Sequence, residues 1–253
     1  MLLEVCIDRV ESAINAERGG AGRVELCDNL IDGGTTPSYG MIKTVKNAIN
    51  IPVNVIIRPR GGDFYYNENE MQIMIEDILA CKSIGVNGVV IGCLTKDGKV
   101  DMEKNRRLIE AARPLSVTFH RAIDMTVDLL EATRDCIALG VDRILTSGGC
   151  NTVMEGKETI KEMRKIAEGR LQIMAGGGVT ATNIRELVEF TGIKEVHGSA
   201  RDYVESEMEY RKEGVFMGGE KKNTQELEFK WKQTSEAMVK QFVGQIADLC
   251  SLC

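Results

Sequence analysis

Eight short β-rich runs recur along the chain, each followed by enough residues for a helix, and this alternation narrows the fold more than any other feature. The predicted strands are Leu3–Ile7, Arg23–Leu26, Val53–Ile57, Gly88–Ile91, Ser116–Phe119, Arg143–Thr146, Leu171–Ala175 and Glu195–Gly198. Between them, apolar residues fall three and four apart, as in Met41, Ile42, Val45, Ala48 and in Leu129, Leu130, Thr133, Ile137, the spacing of one helix face. Strands two, four, six and eight are led in by a glycine able to end the preceding helix in the left-handed conformation. The words are Gly20-Ala21-Gly22-Arg23-Val24, Gly85-Val86-Asn87-Gly88-Val89, Gly140-Val141-Asp142-Arg143-Ile144 and Gly192-Ile193-Lys194-Glu195-Val196. Strands three and five are led in by proline instead, at Ile51-Pro52-Val53 and Arg113-Pro114-Leu115. Alternation by odd and even strand suggests a quarter-barrel repeat, which an open doubly wound sheet has no reason to carry. The expectation is an α/β chain folded as one (β/α)8 TIM barrel over residues 1–253. Residues 199–234 are polar and charged and too long for an ordinary βα loop, so they read as an insertion that is functional, oligomeric or poorly ordered. An amphipathic helix at about Ser235–Leu249 then closes the barrel.

Charge and targeting signals exclude several function classes. A formal charge of −6 leaves no basic excess for nucleic acid or an anionic membrane. No apolar run is long enough to span a bilayer, and the opening Met1-Leu2-Leu3-Glu4-Val5-Cys6 enters strand-like sequence without a basic leader, so a cytosolic location is expected. The eight cysteines are scattered, several of them within apolar runs, and read mostly as reduced, buried thiols. Cys250 and Cys253 form a lone CxxC, two ligands short of a zinc site and a poor prenylation box.

In this fold the working face lies at the C-terminal ends of the strands. Strand alternation sends Leu3, Val5, Ile7, Val24, Leu26, Val53, Val55, Val117 and Phe119 toward the helices. The barrel axis then receives Glu4, Cys6, Asp8, Glu25, Cys27, Asn54, Arg58, Thr118 and His120. Glu4, Glu25, Arg58 and His120 compensate one another if they meet, either as a polar plug or as the floor of a pocket with acid/base capacity. The only two histidines, His120 and His197, both fall at strand C-termini. Cys6 and Cys27 end adjacent strands, where they are either two small apolar side chains or two soft ligands for one Cu(I) ion. Gly176-Gly177-Gly178 after strand seven and His197-Gly198-Ser199 with Arg201 after strand eight suit an anion, since barrels of this kind bind phosphate at those two loops. The loop Arg58-Pro59-Arg60-Gly61-Gly62-Asp63-Phe64-Tyr65-Tyr66 offers an anion clamp through Arg58 or Arg60, or an aromatic subunit contact.

Taken together, Glu4-Val5-Cys6, Glu25-Leu26-Cys27, Gly33-Gly34-Thr35-Thr36-Pro37-Ser38, Ile57-Arg58-Pro59-Arg60-Gly61-Gly62-Asp63-Phe64, Thr118-Phe119-His120-Arg121-Ala122, Leu145-Thr146-Ser147-Gly148, Gly176-Gly177-Gly178 and His197-Gly198-Ser199-Ala200-Arg201 resemble the CutC-type copper homeostasis family over about residues 2–218. The resemblance implies a cytosolic, usually homo-oligomeric TIM barrel with a role in copper handling, Cys6 and Cys27 standing where that family's copper proposal places its ligands. The residues themselves keep a second reading open, an enzyme acting on a phosphorylated or carboxylated small molecule.

Overall fold

The computed structural model describes residues 1–212, 215 and 228–250. Eight parallel strands, β1 Leu2–Ile7, β2 Arg23–Leu26, β3 Val53–Ile56, β4 Gly88–Ile91, β5 Ser116–Phe119, β6 Arg143–Thr146, β7 Gln172–Gly176 and β8 Glu195–Gly198, close in sequential order into a barrel. Closure brings β8 beside β1, with Glu4 opposite His197 and Val5 opposite Gly198. Seven helices wrap it, α1 Val10–Arg18, α2 Tyr39–Ala48, α3 Glu68–Ile84, α4 Met102–Ala112, α5 Leu129–Leu139, α6 Lys157–Ala167 and α7 Ile184–Thr191, and α8 Glu236–Cys250 completes the ring. None of the helices among the described residues is long and apolar enough to cross a membrane.

Local chemistry sets these boundaries. Helix α3 starts at a reciprocal capping box between Asn67 and Glu70. It stops at Gly85, whose φ of 81° only glycine adopts without strain, and Gly140 ends α5 in the same way at 73°. The strand alternation holds. Val5, Val24, Val55 and Val117 are fully buried in the layer between barrel and helices, with Ala13, Ala16 and Val45 from the helix side. Inside the barrel a separate small cluster joins Cys6, Cys27, Ile56 and Val90.

The segment after β8 is a long excursion anchored at both ends. Strands β9 Arg201–Glu205 and β10 Lys230–Thr234 pair antiparallel, with Trp231 opposite Val204. The ribbon's base docks on α1, where the Thr234 N–H donates to Ser12 Oγ at 3.1 Å and Asn15 Nδ2 donates to the Thr234 carbonyl at 2.9 Å. Cys253 lies outside the described residues, as does the side chain of Cys250.

Gly88 shows how tightly the barrel is filled. A Cβ there would sit 2.5 Å from Asn54 Oδ1 and 2.8 Å from the Ser116 carbonyl oxygen. Gly88→Ala is therefore expected to lower stability by about 1–3 kcal/mol, read from the urea midpoint at constant slope. An unchanged midpoint would mean that Asn54 has another place to go.

Candidate metal and proton site

The barrel axis holds a stack of ionisable groups built from β1, β2, β6 and β8. Lowest lies a charge ladder. Arg23 is hydrogen-bonded to Glu4 and donates through Nη2 to Glu195 Oε2 at 2.6 Å, while Arg143 Nε donates to the same Glu195 oxygen at 2.6 Å. Alternation on β2 puts Arg23 on the face of Glu25 and Cys27, and the register sets it opposite Glu4. Asn54 Nδ2 reaches Glu4 at 3.5 Å.

Above the ladder stands His197. Its Nδ1 lies 2.9 Å from Glu4 Oε1, and its Nε2 lies 3.6 Å from Glu25 Oε2. Burial disfavours the imidazolium, but hydrogen bonds to Cys6 and Glu4 and the neighbouring carboxylates outweigh it and hold the ring protonated well above its ordinary range. For Glu4, burial pushes the pKa up, yet His197 and Arg23 prevail and bring it down to about 2. Glu25 lacks an arginine, and burial drives it up to about 8 against the pull of His197.

At the mouth the Cys6 and Cys27 sulfurs lie 3.8 Å apart, both thiols free and buried. The hydrogen bond from Cys27, opposed by burial and helped by His197, brings Cys6 down to about 5. Cys27 moves the opposite way, because donating to Cys6 and being buried both favour its protonated form. The two shifts oppose one another, so Cys6 is the sulfur that ionises first and Cys27 the one that keeps its proton. Candidate ligand atoms of Cys6, Cys27 and Glu25 all lie within 4.8 Å of one another, as do those of Glu4, Glu25 and His197. Glu25 belongs to both groups.

The chain matches the CutC family model over residues 1–202. The chain belongs to the CutC family. It is 51% identical over 243 residues to the CutC family protein of Parabacteroides distasonis, covering 96% of this chain and 99% of the relative. It is 49% identical over 217 residues to the copper homeostasis protein cutC homolog of Mus musculus, covering 86% of this chain and 80% of the relative. The crystal structure of CutC from Streptococcus agalactiae superposes with a TM-score of 0.76 at 39% identity, covering 79% of this chain and 98% of that one.

The residues singled out from sequence separate into distinct places. Glu4, Glu25, Cys6, Cys27 and His197 come together. Arg58 and His120 do not join them. The Arg58 guanidinium donates to the carbonyls of Asp32, Gly34 and Gly62, each at 2.8 Å, and so holds its own loops. His120 is pushed down to about 3 by burial and by the charge of Arg58, so it stays neutral and cannot cycle a proton near pH 7. Arg60 spends its donors on Glu70, Asp63 and the carbonyls of Gly61, Asp63 and Tyr65, which leaves none for an anion. At the glycine turn, Gly177 and Gly178 have φ of 112° and 76°, and a Cβ at Gly177 would lie 3.4 Å from Arg121 Nη1. Gly176 makes room for His197, and Gly198 backs onto Phe242 of α8. The Ser199 carbonyl accepts from Thr234 Oγ1, and the charge of Arg201 reaches Cys6. Arg23, Arg143 and Glu195 were not among the residues expected at the site. Strand parity already carried the signal, since Arg23 shares the face of Glu25 and Cys27.

Proposed function

We propose that this protein binds copper(I) through the Cys6–Cys27 pair as part of cytosolic copper handling. The observation that carries this reading is the pair itself, two buried free sulfurs 3.8 Å apart, of which Cys6 is the one whose thiolate the neighbours favour. Thiolates are soft donors and favour Cu(I) over harder cations. The donor set therefore fits the ion that the relatives' names suggest.

Charge balance supports a monovalent ion. At neutral pH the shifts and hydrogen bonds of the connected groups favour three negative charges, on Cys6, Glu4 and Glu195, against three positive ones, on Arg23, Arg143 and His197, and the charge of Arg201 reaches Cys6 from outside that set. Glu25 and Cys27 remain protonated there. When both sulfurs act as ligands, Cys27 gives up its proton and a monovalent cation takes its place, so the buried charge is unchanged. A divalent ion would add a positive charge in a setting where uncompensated charge is strongly disfavoured.

The test is competition with a Cu(I) chelator at neutral pH, combined with calorimetry in buffers of different ionisation enthalpy. Wild type is expected to hold one Cu(I) and release close to one proton per ion, and Cys6→Ser/Cys27→Ser is expected to lose the competition. Undiminished retention by the double variant would remove the thiol pair from the reading. We also expect a homo-oligomer, on the exposed apolar side chains Ile31, Tyr65, Met125 and Val127 carried by loops after β2, β3 and β5. Light scattering on the purified protein tests it, and a monomer at micromolar concentration would count against it.

A further inference from the structure

Arg58, Tyr66 and His120 stand apart from the thiol–carboxylate stack and share an unusual condition. Arg58 Nε, Tyr66 Oη and His120 Nε2 are buried without a hydrogen-bond partner, a state otherwise seen, among the described residues, only at Trp231 Nε1. Buried polar atoms are nearly always paired, so three orphans in one region call for a missing partner.

Register brings them together. Ile56 pairs with Val90 and Ile91 with Phe119, so Arg58 and His120 follow β3 and β5 at the level of Gly92 on the strand between. Gly92 has no side chain, and the His120 ring leans across it, since a Cβ there would lie 2.5 Å from His120 Cε1. Phe64 flanks both groups, 5.0 Å from Arg58 Cζ and 5.1 Å from the His120 ring, centre to centre. Tyr66 lies against Arg58, whose charge and side-chain contact with the phenol oxygen partly offset the upward push of burial, while no group among the described residues accepts the phenol O–H.

The charge and donor pattern define what would fit. Arg23, as buried as Arg58, is held between Glu4 and Glu195, but the Arg58 terminal nitrogens meet only carbonyl oxygens. Its positive charge has no carboxylate partner among the described residues and is 5% exposed, a costly state for a buried ion. His120 Nδ1 accepts the Ala122 N–H at 3.2 Å, which places the ring proton on Nε2. The three orphans therefore present two N–H groups and one O–H, with one net positive charge.

We propose that Arg58, Tyr66 and His120 form a receptor for the carboxylate of a small organic acid, separate from the thiol pair. A monoanion cancels the single unpaired charge, and its oxygens accept from the three donors. A phosphate dianion would bury a surplus negative charge that neutral His120 does not offset. A water molecule would satisfy the hydrogen bonds but leave the charge.

Calorimetry and thermal shift with sodium acetate and sodium formate, against sodium chloride at matched ionic strength, test the proposal on the metal-free full chain. Acetate is expected to bind and raise the unfolding temperature beyond the effect of chloride. Because Arg58 also ties loop carbonyls, Tyr66→Phe and His120→Phe are the cleaner variants, and each is expected to weaken binding about tenfold. Cys6→Ser/Cys27→Ser is expected to keep full acetate affinity, which separates this site from the copper reading. The proposal is overturned if neither acid stabilises the protein beyond chloride, or if Tyr66→Phe binds acetate as wild type does. It is equally overturned if the cysteine variant loses acetate binding, or if crystals grown in acetate hold only a water or an adventitious additive at the three atoms.

Discussion

Arg23→Met is expected to lower the unfolding free energy by about 3–5 kcal/mol, the usual cost of removing one partner from a buried ion pair. Glu4 is 1% exposed and Glu195 9%, and Arg23 bridges both while its Nη2 also touches the Met174 sulfur at 3.3 Å. Methionine keeps the apolar stem and removes the charge, so the loss reports the two stranded carboxylates rather than a cavity. His197 still faces Glu4 and Arg143 still faces Glu195, which keeps the variant folded. Adding Glu4→Gln alone to Arg23→Met should recover part of the loss, because Cys6 and Glu195 then balance His197 and Arg143. Chemical denaturation reads both effects. A loss below about 1 kcal/mol would mean that water reaches the ladder and screens it.

Between pH 5 and 6.5 the wild-type protein is expected to show a nearly flat stability profile, made of two opposed slopes. Cys6 is lowered to about 5 from an ordinary value of 9.0, so the stability from its thiolate grows as pH rises above 5. Glu25 is raised from 4.5 to about 8, so the stability from its protonated form is full below 4.5 and declines as pH rises toward 8. Each slope is about 1.4 kcal/mol per pH unit where only one state carries the proton. Glu25→Gln removes the declining slope, and its stability should climb by about 2 kcal/mol across the window. Cys6→Ser removes the rising one, and its stability should fall by a similar amount. Above pH 6.5 the His197 contribution also begins to decline, since its folded value is raised. Urea denaturation of the metal-free proteins at several pH values measures this, and parallel profiles for the two variants would contradict the assignment of charges at the site.

The barrel was legible because its signals are local. Strand alternation, glycine caps and proline lead-ins each act over a few residues, and five of the eight predicted strands coincide with the observed ones at both ends. The predicted closing helix, Ser235–Leu249, lies one residue from the observed one. Partner choice was less legible. Arg58 and His120 have the inward parity expected, but parity gives direction and not height. They stand at the level of Gly92, whereas the carboxylates of Glu4 and Glu25 meet His197, which enters only when β8 closes on β1. The capture of Arg58 by carbonyls of Asp32 and Gly34 depends on a loop from β2 folding against one from β3, a relation no short window of sequence contains.

The ribbon formed by β9 and β10 has a consequence for chain length. The chain leaves the barrel at Gly198 and returns at Thr234, whose hydroxyl donates to the Ser199 carbonyl while Ser235 N–H donates to the Ala200 carbonyl. Exit and return are thus stitched within a few residues of each other and fastened to α1, so strain between them is not passed to the strands. For ends already held together, doubling the residues in the span costs only about 0.6 kcal/mol in closure entropy. Residues between the two stitches can be added or removed at little thermodynamic cost while Cys6, Cys27 and His197 keep their places, which makes this corner the place where such a barrel can acquire a new surface without rebuilding its interior.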